Sequence, residues 1–281
     1  MRSARLIGGH RPAVVLVAHG SRDPRAAAST EALARAVQHT RPEWLVRASY
    51  LDHDGPRPLD VLAALPGTRA VLVPLLLTAA YHGRVDLPAV IRDAATLPVT
   101  VTATDVLGPA SPLLLAALNR RLSTAPGHFG RPDGPGHPGC QLIGGSFGSD
   151  PACCGDPAVA GLDAVVLAAA GTRDDAARGT VADAATALGT LLGLPSAVSY
   201  ASGPGPRADE AVTRLRAEGA RRVGVAAYFL APGLLYDAAM DAARSAGAVT
   251  VAQPLGDAPE LVRLVATRAE SILTHSLATA A

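Results

Sequence analysis

Polar side chains follow three apolar runs in the first half of the chain, where each run ends. In chain order these side chains are His19, Asp52 with His53, and Tyr81 with His82. Imidazole and carboxylate groups are common ligands of Fe²⁺, Co²⁺, Ni²⁺ and Zn²⁺, and a histidine near neutral pH can also accept a proton. One site built from these residues could therefore bind a metal ion and remove protons from a substrate.

Alternating strands and helices are expected to bring these side chains to one place. In the first half we predict strands over 13–18, 46–51, 70–77 and 99–104, and helices over 24–40, 58–65, 86–95 and 111–122. Such alternation is typical of parallel sheets with right-handed crossovers. Ligands of open α/β sheets bind at the carboxyl ends of the strands, which is where the polar side chains fall.

The chain repeats itself. Residues 14–23 match 165–174, 48–50 match 198–200, 71–77 match 224–230, and 107–109 match 255–257. Four matches in the same order predict two homologous, doubly wound parallel α/β domains that face each other across a cleft. We place an N-terminal domain with the active site at 1–124, a Gly- and Pro-rich linker or loop at 125–161, and a degenerate copy at 162–281.

The second copy indicates which polar residues the fold itself does not need. It has Ala170 where the first has His19, Ser202 where the first has Asp52, and no histidine in the run Leu234-Leu235-Tyr236 that matches the region of His82. This difference favours His19 and His82 as functional residues over a buried structural histidine and a solvated loop residue. Asp52 remains a ligand, a base or a turn residue, and His53 is interpreted as an exposed neighbour rather than a ligand.

Arginines near the same strand ends could hold carboxylates. We expect Ser21, Arg22, Tyr81 and Arg84 to bind substrate, with Arg25 and Arg47 flanking the same edge. The turn after the first strand resembles a phosphate-binding turn. It lacks both the GxGxxG pattern and a Walker lysine, which disfavours a nucleotide-binding protein.

Composition narrows the class of protein. Hydrophobic residues make up 49% of the 281 residues and aromatic residues 3%, which suits an aliphatic α/β core. The formal net charge of +1 and the lack of a long apolar run argue against nucleic-acid and membrane partners. Three cysteines and no secretory signal predict a cytoplasmic protein.

The cysteines Cys140, Cys153 and Cys154 all lie in the predicted linker. Clustered thiols in a reducing compartment can bind a metal or an Fe–S cluster. Their spacing is not a CxxC pattern, and a fourth ligand would have to come from His137, Asp150, Asp156 or a second subunit. A bound cluster and incidental free thiols remain the two alternatives.

Two stretches together resemble the sirohydrochlorin chelatase family, the class II tetrapyrrole chelatases of siroheme and anaerobic cobalamin synthesis, in its long two-half form. They are Ala-His-Gly-Ser-Arg-Asp-Pro at 18–24, followed by Tyr-Leu-Asp at 50–52, and Pro-Leu-Leu-Leu-Thr-Ala-Ala-Tyr-His-Gly-Arg-Val-Asp-Leu-Pro at 74–88. The resemblance implies a metal-free tetrapyrrole with many carboxylates as substrate, a divalent metal as co-substrate, and no ATP. It also implies that His19 and His82 bind the metal and assist deprotonation. Asp52 stands where the family often has glutamate.

On this basis we predict a lyase-class chelatase that inserts Fe²⁺ into sirohydrochlorin and releases two protons. A cobalt or nickel chelatase is the first alternative, and a non-catalytic tetrapyrrole or metal carrier is the second. The predicted partner is a sirohydrochlorin-type tetrapyrrole. The protein would be a monomer with pseudo-dimeric halves or a homodimer.

Overall fold

The computed structural model describes residues 11–66, 69–78, 86–109, 111–125, 159 and 161–278. Several residues singled out from the sequence lie outside these ranges, namely Tyr81, His82, Arg84, Cys140, Cys153 and Cys154. No helix among the described residues is long and apolar enough to cross a membrane.

Within the described residues, each half of the chain forms four strands and four helices in strict alternation. The first half contains β1 (Ala13–Ala18), α1 (Pro24–Thr40), β2 (Leu45–Tyr50), α2 (Pro58–Ala63), β3 (Arg69–Pro74), α3 (Leu87–Ala94), β4 (Thr100–Ala103) and α4 (Pro112–Ser123). The second contains β5 (Ala164–Ala169), α5 (Asp175–Leu192), β6 (Ser196–Tyr200), α6 (Ala208–Ala217), β7 (Val223–Tyr228), α7 (Leu234–Ser245), β8 (Thr250–Val251) and α8 (Pro259–Ala278).

The two sheets have the same topology. Their strand orders are β2-β1-β3-β4 and β6-β5-β7-β8, and all pairs are parallel. In the first sheet Ala18 pairs with Tyr50, and in the second Ala169 pairs with Tyr200. The predicted repeat and the predicted fold class are therefore confirmed at the level of strand register.

Strand β1, an inner strand of the first sheet, is covered on both faces, as its continuous apolar sequence predicts. Val14 and Leu16 point into a core that is shared with the second half, whereas Val15 and Val17 point into a smaller core under α2 and α3. The halves are thus packed together through one continuous core.

Polar contacts also join the two halves away from the strand ends. Arg120 on α4 donates from Nε to both carboxylate oxygens of Glu260 on α8, at 2.8 and 2.9 Å. The hydroxyl of Tyr228 on β7 donates to the carbonyl of Leu77, which follows β3. Burial raises the pKa of Tyr228, so this phenol stays a donor at physiological pH.

Candidate active site

Backbone hydrogen bonds fix the segment that follows β1. The N–H of Asp52 donates to the carbonyl of His19 at 2.8 Å, and in the second half Ser202 makes the same bond to Ala170 at 2.9 Å. The glycines that come next, Gly20 and Gly171, both have φ of +94°. The backbone of the two strand ends is therefore the same, and the side chains are what differ.

Two imidazoles lie together at this strand end. His19 is half-buried, and the centroid of its ring is 6.1 Å from that of His53, with the rings at 77° to each other. Both residues line the same cleft. His53 is exposed, as the sequence predicts, and lies in the wall that carries His19.

The carboxylate of Asp52 points toward His53 and away from the cleft lining. Its Oδ1 accepts a hydrogen bond from the His53 N–H at 2.8 Å, and its Oδ2 lies 3.7 Å from His53 Nε2. Arg57 Nη2 lies 3.9 Å from Oδ1, and the side chain is 57% exposed. The backbone N–H of His53 is the main cause that lowers the pKa of Asp52, with smaller contributions from nearby charges, so this group is a carboxylate at neutral pH.

The turn between β1 and α1 is held by its own polar groups. The N–H of Ser21 donates to Asp54 Oδ2 at 3.1 Å, and Ser21 Oγ accepts from the N–H of Asp23 at 3.1 Å. Asp23 caps α1 by accepting from the N–H of Arg25. Ser21 and the exposed Arg22, which the sequence predicts to bind substrate, both line the cleft.

Arg25 lies between two carboxylates. It pairs with Asp23 on its own turn and with Asp237 in the first turn of α7. Hydrogen bonds from Arg25 lower the pKa of Asp23, and the two carboxylates together raise the pKa of Arg25. An arginine expected to be available for substrate carboxylates is therefore paired across the halves.

The cleft has a volume of about 520 Å³ and two chemically different walls. The first half contributes a polar wall made of His19, Gly20, Ser21, Arg22, Asp23 and His53. The second half contributes a mainly apolar wall made of Ala170, Phe229, Ala231, Gly233, Leu234, Leu235 and Tyr236. This volume falls within the range of roughly 300–1,000 Å³ that is typical of small-molecule sites.

The apolar wall exposes hydrophobic surface while its base is fixed. Leu234 is 80% exposed and Leu235 is 44% exposed, and only Leu191 is another exposed large hydrophobic residue in the described part of the chain. Beneath them the rings of Phe229 and Tyr236 pack edge to face at 5.7 Å, and Tyr236 donates its hydroxyl to the carbonyl of Ala252 at 3.0 Å. Exposed apolar surface on a rigid support is typical of a binding site.

The structure does not bring every predicted residue to the cleft. Arg47 lies in a separate depression with Arg11 and Arg35, so the expectation that it flanks the same edge is wrong. Within the described ranges, no group of three or more His, Cys, Asp or Glu side chains is arranged to hold a metal ion. His82 lies outside the described residues, in the stretch between Thr78 and Asp86.

Comparison with known proteins identifies the class of protein that this fold and cleft define. The fold is that of two-lobed, chelatase-like α/β proteins. The CbiX family model matches residues 13–125 and 164–272, which is most of the chain and covers both halves. The chain therefore belongs to the CbiX family, and the resemblance to sirohydrochlorin chelatases is confirmed. No curated sequence matches the chain at a significant level.

Three solved structures share the fold over nearly the whole chain. SirB from Bacillus subtilis with Fe³⁺ has a TM-score of 0.65 at 17% identity and covers 92% of this chain and 94% of its own. CbiX, the terminal enzyme for biosynthesis of siroheme in denitrifying bacteria, has a TM-score of 0.59 at 16% identity, covering 93% and 99%. DR2241 from Deinococcus radiodurans, a multi-domain protein with structural similarity to chelatases, has a TM-score of 0.64 at 19% identity, covering 92% and 55%.

Proposed function

We propose that this protein is a chelatase that inserts Fe²⁺ into sirohydrochlorin to give siroheme, with release of two protons and without ATP. The observation that carries the proposal is the cleft itself, in which a wall with imidazoles faces a wall of exposed leucines. A flat, metal-free macrocycle needs both walls, because its face is apolar and its centre must receive an ion. Membership of the CbiX family supports the same conclusion.

Metal insertion requires that the ion lose its water and that two pyrrolic nitrogens lose their protons. His19 is half-buried in the cleft, and we propose that it takes part in both steps, because the lone pair of a neutral imidazole can either bind an ion or accept a proton. His82 is proposed as the second imidazole from its match to the family motif. Packing of the ring against Leu234 and Leu235 would exclude water from one face and strengthen the polar interactions at the other.

The substrate carries carboxylates around its rim, and the cleft offers donors there. Arg22 lies exposed in the polar wall, and Ser21 lies beside it. Arg84 and Tyr81 are proposed to serve the same purpose, from their place in the stretch that resembles the family motif. Guanidinium groups suit this role because they bind carboxylates with two parallel hydrogen bonds.

Iron is the proposed metal, with cobalt and nickel as the alternatives. The related SirB structure contains Fe³⁺, and the related CbiX is described as the terminal enzyme for siroheme biosynthesis, which favours iron here. Ligand type does not separate the three metals, since all of them bind imidazole. The low cysteine content favours a reducing compartment, and we assign the reaction to the cytoplasm.

An anaerobic absorbance assay tests this proposal. A small amount of protein is mixed with an excess of sirohydrochlorin and with Fe²⁺, Co²⁺ or Ni²⁺. The absorption spectrum of the tetrapyrrole is followed over time and compared with that of a protein-free control. We expect many turnovers per protein molecule, fastest with Fe²⁺. Uptake that stops at one equivalent would instead identify a carrier, and rates equal to the protein-free control with all three ions would contradict a chelatase.

A further inference from the structure

We infer that His53 is a metal ligand, and that it forms with His19 a two-imidazole site for a borderline divalent cation on the polar wall of the cleft. Binding by this pair is independent of the substrate, whereas its use as the point where the ion is loaded rests on the proposed function. Imidazole pairs of this kind select Fe²⁺, Co²⁺, Ni²⁺ and Zn²⁺ over Mg²⁺ and Ca²⁺, which prefer oxygen ligands.

The backbone of His53 is the first observation. His53 has φ of +63° and is the one non-glycine residue with positive φ among the described residues. The repeat aligns it with Gly203, which has φ of +72°. Side chains other than glycine are disfavoured in this region, so the second copy carries the residue that suits the turn. A strained residue in a ligand-lined cleft, where the sister copy relieves the strain, points to a function of the side chain.

The separation of the two rings is the second observation. A metal–nitrogen bond of about 2.1 Å places an ion roughly 3.2 Å from the ring centroid, so two rings on one tetrahedral ion have centroids about 5.2 Å apart. The observed separation between His19 and His53 is 6.1 Å. The rings are therefore within about 1 Å of the separation that a tetrahedral ion requires, and both line the open cleft.

The position of Asp52 is the third observation. Its carboxylate accepts from the backbone of His53 and lies 3.7 Å from His53 Nε2. The carboxylate restrains the backbone of His53 and adds a negative charge near the imidazole, which favours a bound cation. Asp52 is thus a positioning residue for His53, which accounts for its absence from the cleft lining.

Co²⁺ titration of the full-length, tetrapyrrole-free protein tests the pair, followed by the visible absorption of the bound ion. Relative to wild type, we expect the Kd for Co²⁺ to rise at least about tenfold in His53→Gly and in His19→Ala, and about tenfold in Asp52→Asn. His39→Ala, an exposed histidine at the end of α1, is the matched control and should leave the Kd unchanged. Because glycine suits the turn, the metal-free His53→Gly protein should also melt about 2 °C higher than wild type.

A Kd for His53→Gly equal to that of wild type would overturn the inference. If that variant fails to fold, His53→Asn takes its place, since asparagine tolerates the same backbone, and the same criterion applies. The outcome is separable from the proposed function. If the protein binds Co²⁺ through His19 and His53 but does not insert metal into sirohydrochlorin, only the proposed function is refuted. If it inserts metal but the Kd for Co²⁺ does not depend on His53, only the imidazole pair is refuted.

Discussion

Arg25 in the first turn of α1 and Asp237 in the first turn of α7 form an ion pair, Nη2 to Oδ2 2.5 Å, that joins the two halves beside the cleft. Each partner is next to the wall of the cleft, since Asp23 and Tyr236 line it. The pair is therefore placed to set the distance between the imidazole wall and the leucine wall.

Loss of this pair should affect substrate binding more than stability. We expect Asp237→Asn to raise KM for the tetrapyrrole several-fold with a smaller change in kcat, and to shift Tm by less than about 2 °C, because both side chains are substantially exposed. Steady-state kinetics at low and high salt measure this, and the difference from wild type should shrink as salt screens the pair. Asp241→Asn, which breaks an ion pair with Arg244 inside the same helix, is the control. Equal KM values for Asp237→Asn and wild type at low salt would refute this role.

The leucine wall should contribute to binding without contributing to folding. Leu234→Ser removes a side chain that is 80% exposed, so stability should stay within about 0.5 kcal/mol of wild type. Burial of a leucine against a ligand stabilises the complex by about 1.5 kcal/mol or more, so the Kd for sirohydrochlorin should rise about tenfold. Fluorescence titration measures the Kd. Leu191→Ser, which removes an exposed leucine from α5, is the control and should leave the Kd unchanged. An equal rise of the Kd in both variants would contradict a specific role for the leucine wall.

The glycine after each strand end should be essential to the fold in both halves. A Cβ at Gly20 would collide with the carbonyl of Asp52, and a Cβ at Gly171 would collide with the carbonyl of Ser202, each at φ of +94°. We expect Gly20→Ala and Gly171→Ala to destabilise the protein by about 2–4 kcal/mol each, measured by urea unfolding. Since His19 and His53 flank only the first of these turns, Gly20→Ala should also slow metal insertion at a temperature where both variants are folded. Wild-type stability in either variant would show that the turn is not held as the structure describes.

The pair between Arg120 and Glu260 should make stability depend on pH. Hydrogen bonds from Arg120 lower the pKa of Glu260 below its ordinary value in the folded state. A group with a lowered folded pKa contributes stability above its unfolded pKa, and this contribution is lost as pH falls through the folded pKa. Glu260→Gln should therefore lower the free energy of unfolding by about 1–2 kcal/mol at pH 7 and by progressively less below about pH 4.5.

The control for this pair is the surface glutamate Glu218, which lies 3.7 Å from Arg214 on the same face of its helix. Glu218→Gln should change stability by less than about 0.5 kcal/mol at any pH, because both side chains are exposed. A pH-independent effect of Glu260→Gln would mean that the carboxylate is not stabilised by charge.

Much of the fold could be predicted because its signals are local. The apolar run of β1, the proline at the start of α1 and the repeated stretches all predict their elements. Ser111 caps α4 by accepting from the N–H of Leu114. The end of β3 was predicted too late, at residue 77. It ends at Pro74, which pairs with Val17 one residue before the end of β1, and this register is not visible in an apolar run.

The candidate site was harder to predict because its contacts are between segments. The sequence singles out His19, Ser21 and Arg22, and the structure places all three in the cleft. It interprets His53 as an exposed neighbour, since position relative to a strand end does not show which way a loop turns. The available signal was the alignment of His53 with Gly203, a histidine where the repeat has glycine. The functions of His82 and of the three cysteines stay predictions.

The initial rate of Fe²⁺ insertion into sirohydrochlorin by His19→Ala, measured anaerobically by absorbance, tests the central claim most directly. Alanine is the residue that the second half has at the equivalent position on the same backbone, so the variant should fold, with Tm within about 2 °C of wild type. We expect a loss of rate of at least about 100-fold, the size typical of a group that transfers protons or binds the metal in the reaction. A folded His19→Ala protein with a rate near that of wild type would contradict the assignment of the active site to this wall.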